Sequence, residues 1–253
     1  MFYDQFDLTG KVAIITGGNR GLGEAMVTAL AEAGADIAVV GRGDAKKIED
    51  IVQNLGRNFF HIRADLSDLS CIEEIVSAVI NRYGHIDILV NNAGTIIRKP
   101  ALEYSLSEWE SILKLNLDSV FFMCQRVAKE FIRQGTGGKI VSTASIVSFQ
   151  GGLNNTPYTA SKAAITGITK TMCNEWAKYG INVNAIAPGF MRTDLTEEVY
   201  QNPDRQKQIM ARIPQGRWGT PADVGGLVLF LVSNASNYVN GATIPVDGGW
   251  LGY

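Results

Sequence analysis

Seven short segments of this chain are largely apolar without alternating in polarity, and most are separated by longer stretches of helical character. The segments span 12–15, 36–40, 58–63, 86–91, 139–143, 182–187 and 244–246. A strand with one wet face alternates, whereas a strand covered on both faces does not. Such strands belong to a parallel sheet, and parallel neighbours need crossovers, usually helices. Helical stretches at 23–33, 44–55, 67–83 and 158–179, and two within 103–133, supply them, with Ser67 placed to cap the third. The order predicts one α/β domain over 1–253, a doubly wound parallel sheet of about seven strands with helices on both faces. Pro245 puts the last strand at an edge. The least regular stretch, 190–219, follows the sixth strand and is expected to be a substrate lid.

Composition excludes several classes. A net charge of −2 offers no basic footprint for nucleic acid. No run reaches the roughly 18 apolar residues of a membrane span. The first seven residues are acidic and lack the basic start of a signal peptide. Cys71, Cys124 and Cys173 are odd in number, widely spaced and without a CxxC, so buried free thiols and a cytoplasmic chain are expected. His61 and His85 have no metal-site spacing, and no metal is expected.

The first strand leads directly into Thr16-Gly17-Gly18-Asn19-Arg20-Gly21-Leu22-Gly23, which opens a helix. Glycines allow a sharp turn and a close approach of pyrophosphate to backbone, and the helix start offers free N–H groups and partial positive charge. This marks a dinucleotide site in a Rossmann-like sheet. The spacing Gly-x3-Gly-x-Gly departs from the usual fingerprint. NAD sites usually carry an acid at the end of the second strand. Gly41 stands there, followed by Arg42. Arg42 and Arg20 suit a 2′-phosphate, since guanidinium binds phosphate as a fork. The residues lean to NADP, and NAD stays open.

Tyr158 and Lys162 stand about one helical turn apart. A free phenol has a pKa near 10, and a neighbouring ammonium favours the phenolate. Tyrosine thereby becomes a usable base. The pair is weak evidence alone and gains weight from the motifs around it.

Four elements in order resemble the short-chain dehydrogenase/reductase family: Thr16-Gly17-x3-Gly21-x-Gly23, Asn91-Asn92-Ala93-Gly94, Ser145, and Tyr158-x3-Lys162, with Pro188-Gly189 also fitting. The resemblance implies Tyr158 as catalytic base or acid, Lys162 as its charged partner, Ser145 as the orienting hydroxyl and Asn116 as a proton-relay member. It implies a cofactor wall of Gly17, Asn19, Gly21, Leu22, Gly23, Asp65, Leu66, Asn92, Ala93, Gly94, Pro188, Gly189 and Thr193, beside Arg20 and Arg42. Ser148-Phe149-Gln150-Gly151-Gly152, Arg217-Trp218-Gly219 and Val246-Asp247-Gly248-Gly249-Trp250 look like the sugar-acid branch of the family, whose member most like this chain is usually NAD-linked. The implied reaction is oxidation of a secondary hydroxyl on a 2-keto-3-deoxygluconate-, 2-deoxygluconate- or gluconate-type acid. Arg98, Arg192 and Arg217 are candidates for the substrate carboxylate, and Gln150 and Asn154 for its hydroxyls.

Two rivals stand. One is a 3-oxoacyl thioester reductase on the same fold, and the other a dinucleotide-sensing protein without turnover. The resemblance also implies a homotetramer. The apolar stripe Val120, Met123, Cys124, Val127, Phe131 and Ile132 is broad enough to suggest a contact beyond the chain's own sheet. The stripe Ile165, Ile168, Met172 and Trp176 and the C-terminal segment 250–253 are further candidate contacts.

Overall fold

In the computed structural model, which describes residues 1–252, the seven strands form one parallel sheet. They are β1 (Val12–Thr16), β2 (Asp36–Gly41), β3 (Phe59–Arg63), β4 (Ile88–Asn91), β5 (Gly138–Thr143), β6 (Ile181–Pro188) and β7 (Thr243–Val246). Their order is β3-β2-β1-β4-β5-β6-β7. The chain winds outward from β1 to β3, then returns to lay β4 against the other side of β1. Thr16 pairs with Asn91 at that reversal. Ligand crevices of such sheets open there, beyond the carboxyl ends of the strands.

The helices are α1 (Gly21–Glu32), α2 (Lys46–Asn54), α3 (Cys71–Tyr83), α4 (Leu106–Leu113), α5 (Ser119–Gln134), α6 (Thr156–Trp176), α7 (Glu197–Gln201), α8 (Pro203–Met210) and α9 (Ala222–Val232). One sheet face packs on α1, α2 and α9 through Met26, Leu30, Ile48, Val228 and Leu231. The other packs on α3, α5 and α6 through Ile75, Val79, Met123, Val127 and Ile165. Within β1, Ala13 and Ile15 join the first cluster while Val12 and Ile14 join the second. Burial on both faces explains why the strands read as continuous apolar runs. Every residue of β1, β4 and β6 is buried. Pro245 is tolerated because β7 is an edge strand with β6 on one side only.

Several expectations need correction. Ser67 does not cap α3: its N–H and hydroxyl both go to Asp65 Oδ1, at 2.9 and 2.7 Å, and the helix starts only at Cys71. The two helical stretches within 103–133 are joined by a π-helical turn, Lys114–Asp118. Val120, Met123, Cys124, Val127 and Phe131 are all spent on the chain's own core, so the breadth of that stripe implies no further partner. Of that group only Ile132 stays exposed. Ile165 and Met172 are buried in the same core, with Ile168 and Trp176 packed against it. Among the thiols, all free, Cys124 is buried while Cys71 and Cys173 are partly exposed. Trp250 is buried with Ile146, Ile209, Ile213 and Trp218, whereas Tyr253 lies outside the described residues. Among the described residues no helix is long and apolar enough to cross a membrane.

Candidate active site

The turn from β1 into α1 is built on contacts that only glycine permits. Gly17 has φ +63°, in the left-handed region. A Cβ on Gly23 would lie 2.0 Å from the Gly17 carbonyl oxygen, so the helix can fold back over the turn only without one. The Gly17 N–H is held by Val40 O at 2.8 Å. Thr16 braces the other side, its Oγ1 accepting the Asn92 and Ala93 N–H groups at 3.0 Å each. Asn92 donates its side-chain amide to the Thr16 and Gly17 carbonyls, at 3.2 and 3.0 Å. Asn92, expected in the cofactor wall, is thus also a strut of the glycine turn.

Above this turn lies a cavity of about 810 Å³. Of the residues expected to form the cofactor wall, all but Gly23 line it. Gly23 instead shapes the turn behind. At one end Arg42, exposed, pairs with the partly exposed Asp65 at 3.2 Å. Hydrogen bonds from Ser67, with Arg42 adding to them, hold the Asp65 carboxyl below its usual pKa. Arg20, just ahead of α1, reaches Asp194 of the 190–219 segment at 3.4 Å. That segment also contributes Met191, Thr193 and Leu195 to the wall.

Ser145, Tyr158 and Lys162 line the other end of the cavity. Tyr158 and Lys162 occupy the first turns of α6, and the Lys162 Nζ sits 5.7 Å from the Tyr158 ring centroid. Lys162 is buried and donates to Thr143 O at 2.6 Å. Burial lowers its pKa to about 8. The expected lowering of the Tyr158 pKa by Lys162 does not emerge. Desolvation raises the phenol, and the groups that pull it down are the Ser145 hydroxyl and the Arg98 charge.

Asn116 is fully buried in the π-helical turn and does not line the cavity. Its carboxamide grips the main chain of Thr95, accepting from N at 2.9 Å and donating to O at 2.8 Å. A Cβ on Gly94 would lie 3.3 Å from Asn116 Oδ1 and 3.7 Å from Lys162 Nζ, so both side chains come close to this glycine. A π turn re-aims side chains relative to an α-helix and recurs at functional sites. No residue pattern here announced it.

The candidate substrate residues divide. Arg98 is outside the cavity lining, but it donates to the carbonyl of Leu195, which does line it, at 3.2 Å, and its charge acts on Tyr158. Arg217 is turned away into a two-bond pair with Asp223, at 2.8 Å each, and does not line the cavity. Arg192 lies over the Tyr200 ring at 4.6 Å and is also outside the lining. Gln150 and Asn154 are outside it too. Asn154 has φ +58°, the one positive value at a non-glycine among the described residues, and its carbonyl accepts from Lys99 N at 3.0 Å and Tyr104 Oη at 3.1 Å. The loop before α6 is thereby tied to the segment that carries Arg98.

Comparison with known proteins adds to this geometry. A family model described as enoyl-(acyl carrier protein) reductase matches residues 17–251. The chain is 52% identical over 251 residues to 2-dehydro-3-deoxy-D-gluconate 5-dehydrogenase of Dickeya dadantii (strain 3937), covering 99% of each chain. It is 50% identical to the enzyme of the same name from Escherichia coli (strain K12), again covering 99% of each. A solved gluconate 5-dehydrogenase from Burkholderia cenocepacia J2315, in complex with NADP and tartrate, superposes with TM-score 0.95 at 36% identity and covers 100% of each chain.

Proposed function

The chain belongs to the short-chain dehydrogenase/reductase family, and from that premise we propose that it oxidises a secondary hydroxyl of a sugar acid with NAD(P), and reduces the ketone in reverse. One observation carries the reading: Ser145, Tyr158 and Lys162 meet on the wall of a cavity whose far end is the glycine turn and Arg42. The names of the relatives at 50–52% identity support a 2-keto-3-deoxygluconate-type substrate, with gluconate and 2-deoxygluconate as neighbours in chemistry.

A dinucleotide fits these residues. The cavity is of cofactor size, the glycines keep the turn sharp where a Cβ on Gly17 or Gly23 would crowd Asn92, and the start of α1 offers N–H groups to phosphate. When bound, the nicotinamide accepts or supplies the hydride. The protein's own groups handle the proton and the geometry. Tyr158 takes the hydroxyl proton during oxidation and returns it during reduction. Ser145 fixes the substrate oxygen beside the phenol. Lys162 holds positive charge behind it, and Asn116 supports the relay by clamping Thr95.

Arg98 is the best-placed cation for the substrate carboxylate, because Arg217 is already neutralised by Asp223. Charge-assisted hydrogen bonds contribute about 1.5–3 kcal/mol. Arg98→Ala is therefore expected to raise KM for the sugar acid roughly 10- to 100-fold. It also removes a charge that lowers the Tyr158 pKa, so the oxidation rate of the variant should need a higher pH. An unchanged KM together with an unchanged pH–rate curve would remove Arg98 from the site.

The absence of an acid at Gly41 and the presence of Arg42 favour NADP, and the NADP held by the Burkholderia relative supports this. Arg42 is expected to exchange Asp65 for the 2′-phosphate. Arg42→Asp should weaken NADP by at least about tenfold relative to NAD, the loss of one charge-assisted contact. Equal losses for both dinucleotides, measured by fluorescence titration, would refute a phosphate-reading role.

The function itself is tested by initial rates with NAD and NADP against 2-keto-3-deoxygluconate, 2-deoxygluconate, gluconate and an acetoacetyl thioester. Faster turnover of the thioester than of every sugar acid would install the rival reductase. The proposal includes the homotetramer implied by the family, with Phe122 and Ile132 on α5, each 41% exposed, available for a subunit contact. Sedimentation at a monomer mass would overturn that part.

A further inference from the structure

The turn that carries Ser145 is not held by its own backbone alone. Residues Ile146–Ser148 form a single 3-10 turn directly after Ser145. On one side Ile146 is buried in the cluster formed with Ile209, Ile213, Trp218 and Trp250. On the other side Ser148 reaches α6. Its hydroxyl donates to the Lys162 main-chain carbonyl at 2.6 Å and accepts the Ser145 N–H at 3.3 Å. One side-chain oxygen therefore bridges the backbones of two residues whose side chains line the site. Both bonds use its full donor and much of its acceptor capacity.

We propose that Ser148 is a positioning residue, whose hydroxyl sets the distance of the Ser145 side chain from Tyr158 and Lys162. Ser145 sits on a short turn after β5 while Tyr158 and Lys162 sit on the next helix, α6, and the two are joined by the irregular loop 149–155. Their relative placement has to be fixed by contacts between them. Ser148 supplies a directional one, where apolar packing alone would allow the turn to slide. The groups facing the Tyr158 phenol are the Ser145 hydroxyl, the Lys162 ammonium and the Arg98 guanidinium. Of these, only the Ser145 hydroxyl rides on the turn that Ser148 ties down.

This inference rests on the dehydrogenase reading, and the test separates the two. Ser148→Ala and Ser148→Thr are compared with the parent for kcat, KM, pH–rate profile and hydrogen exchange of the peptide covering 144–149. Misplacement of a reacting group by about 1 Å can cost on the order of 100-fold. The Ala variant should lose roughly 10- to 100-fold in kcat with KM little changed. Its alkaline limb for oxidation should move to higher pH, because the phenol loses a stabilising hydroxyl. The Thr variant, which keeps the hydroxyl, should recover most of the rate and the parental profile. The Ser145 peptide should exchange faster in the Ala variant alone. Parental kcat and profile in Ser148→Ala overturn the proposal. So does a rate loss without a profile shift, or one that Thr fails to rescue, since a merely structural role gives that pattern. If the parent turns over no sugar acid, the functional reading fails. The same kcat and pH–rate comparison with the acetoacetyl thioester then decides the positioning claim: a profile shift that Thr reverses upholds it, and a parental profile or unchanged exchange in the Ala variant sinks it.

Discussion

Tyr158→Phe is expected to lower kcat by about three orders of magnitude while leaving dinucleotide affinity within about twofold, because general acid–base groups contribute roughly 10²–10⁴-fold. The ring stays, so the packing of α6 on the turn after β5 survives. Only the oxygen that exchanges the proton is lost. The phenol is pushed up by desolvation and pulled back by Ser145 and Arg98, so at neutral pH it is protonated in the free protein. The parent's oxidation rate should accordingly rise with pH, while reduction, which needs the protonated phenol, should not. The Phe variant should show neither dependence. Stopped-flow single turnovers with a sugar acid measure this directly. Retention of most of the parental rate would remove Tyr158 from the chemistry.

Lys162→Met is expected to cost about 10²–10³-fold in kcat through loss of a preorganised charge. Its effect on stability should run with pH. Burial lowers the folded-state pKa of Lys162 to about 8, below the ordinary value of 10.5. A base with a depressed folded pKa sheds its proton in the native state first. Between about pH 8 and the unfolded value the unfolded chain binds more protons, so this group makes stability rise with pH. Below about pH 8 both states are protonated and the burial cost of the charge is carried in full. The Met variant lacks this linkage. The thermal midpoint of the parent minus that of the variant should therefore grow from pH 7 to pH 10. A difference that stays flat, or that shrinks, contradicts a buried lysine with a lowered pKa.

The helix starts show how local and distant chemistry divided the reading. Ser67 looked like a cap from its place before an apolar periodic stretch, yet Asp65 captured both its N–H and its hydroxyl. Short polar side chains compete for nearby backbone groups, and the competition is settled by conformation. The stripe on α5 posed a similar choice. Its breadth reflects one helix buried deeply in its own sheet, and periodicity alone does not say what covers a face. Arg98, Arg192 and Arg217 were equal candidates as residues. They became unequal only when Asp223 and Tyr200 occupied two of them.

What the amino-acid order determined by itself was the fold and the kind of chemistry. Apolar runs without alternation demand a sheet buried on both faces, glycines at the first strand-to-helix junction open it to a phosphate, and Tyr158 and Lys162 share one helix at fixed spacing. Each of these rests on neighbours in sequence, where backbone geometry leaves little choice. Only the tertiary structure decided how the phenol is tuned, which arginine's charge acts on it, that Asn116 lies in a π turn gripping Thr95, and that Ser148 joins the Ser145 turn to α6. Those depend on desolvation and on pairings between residues far apart in the chain, and the energies of both are set by three-dimensional surroundings that no local pattern encodes.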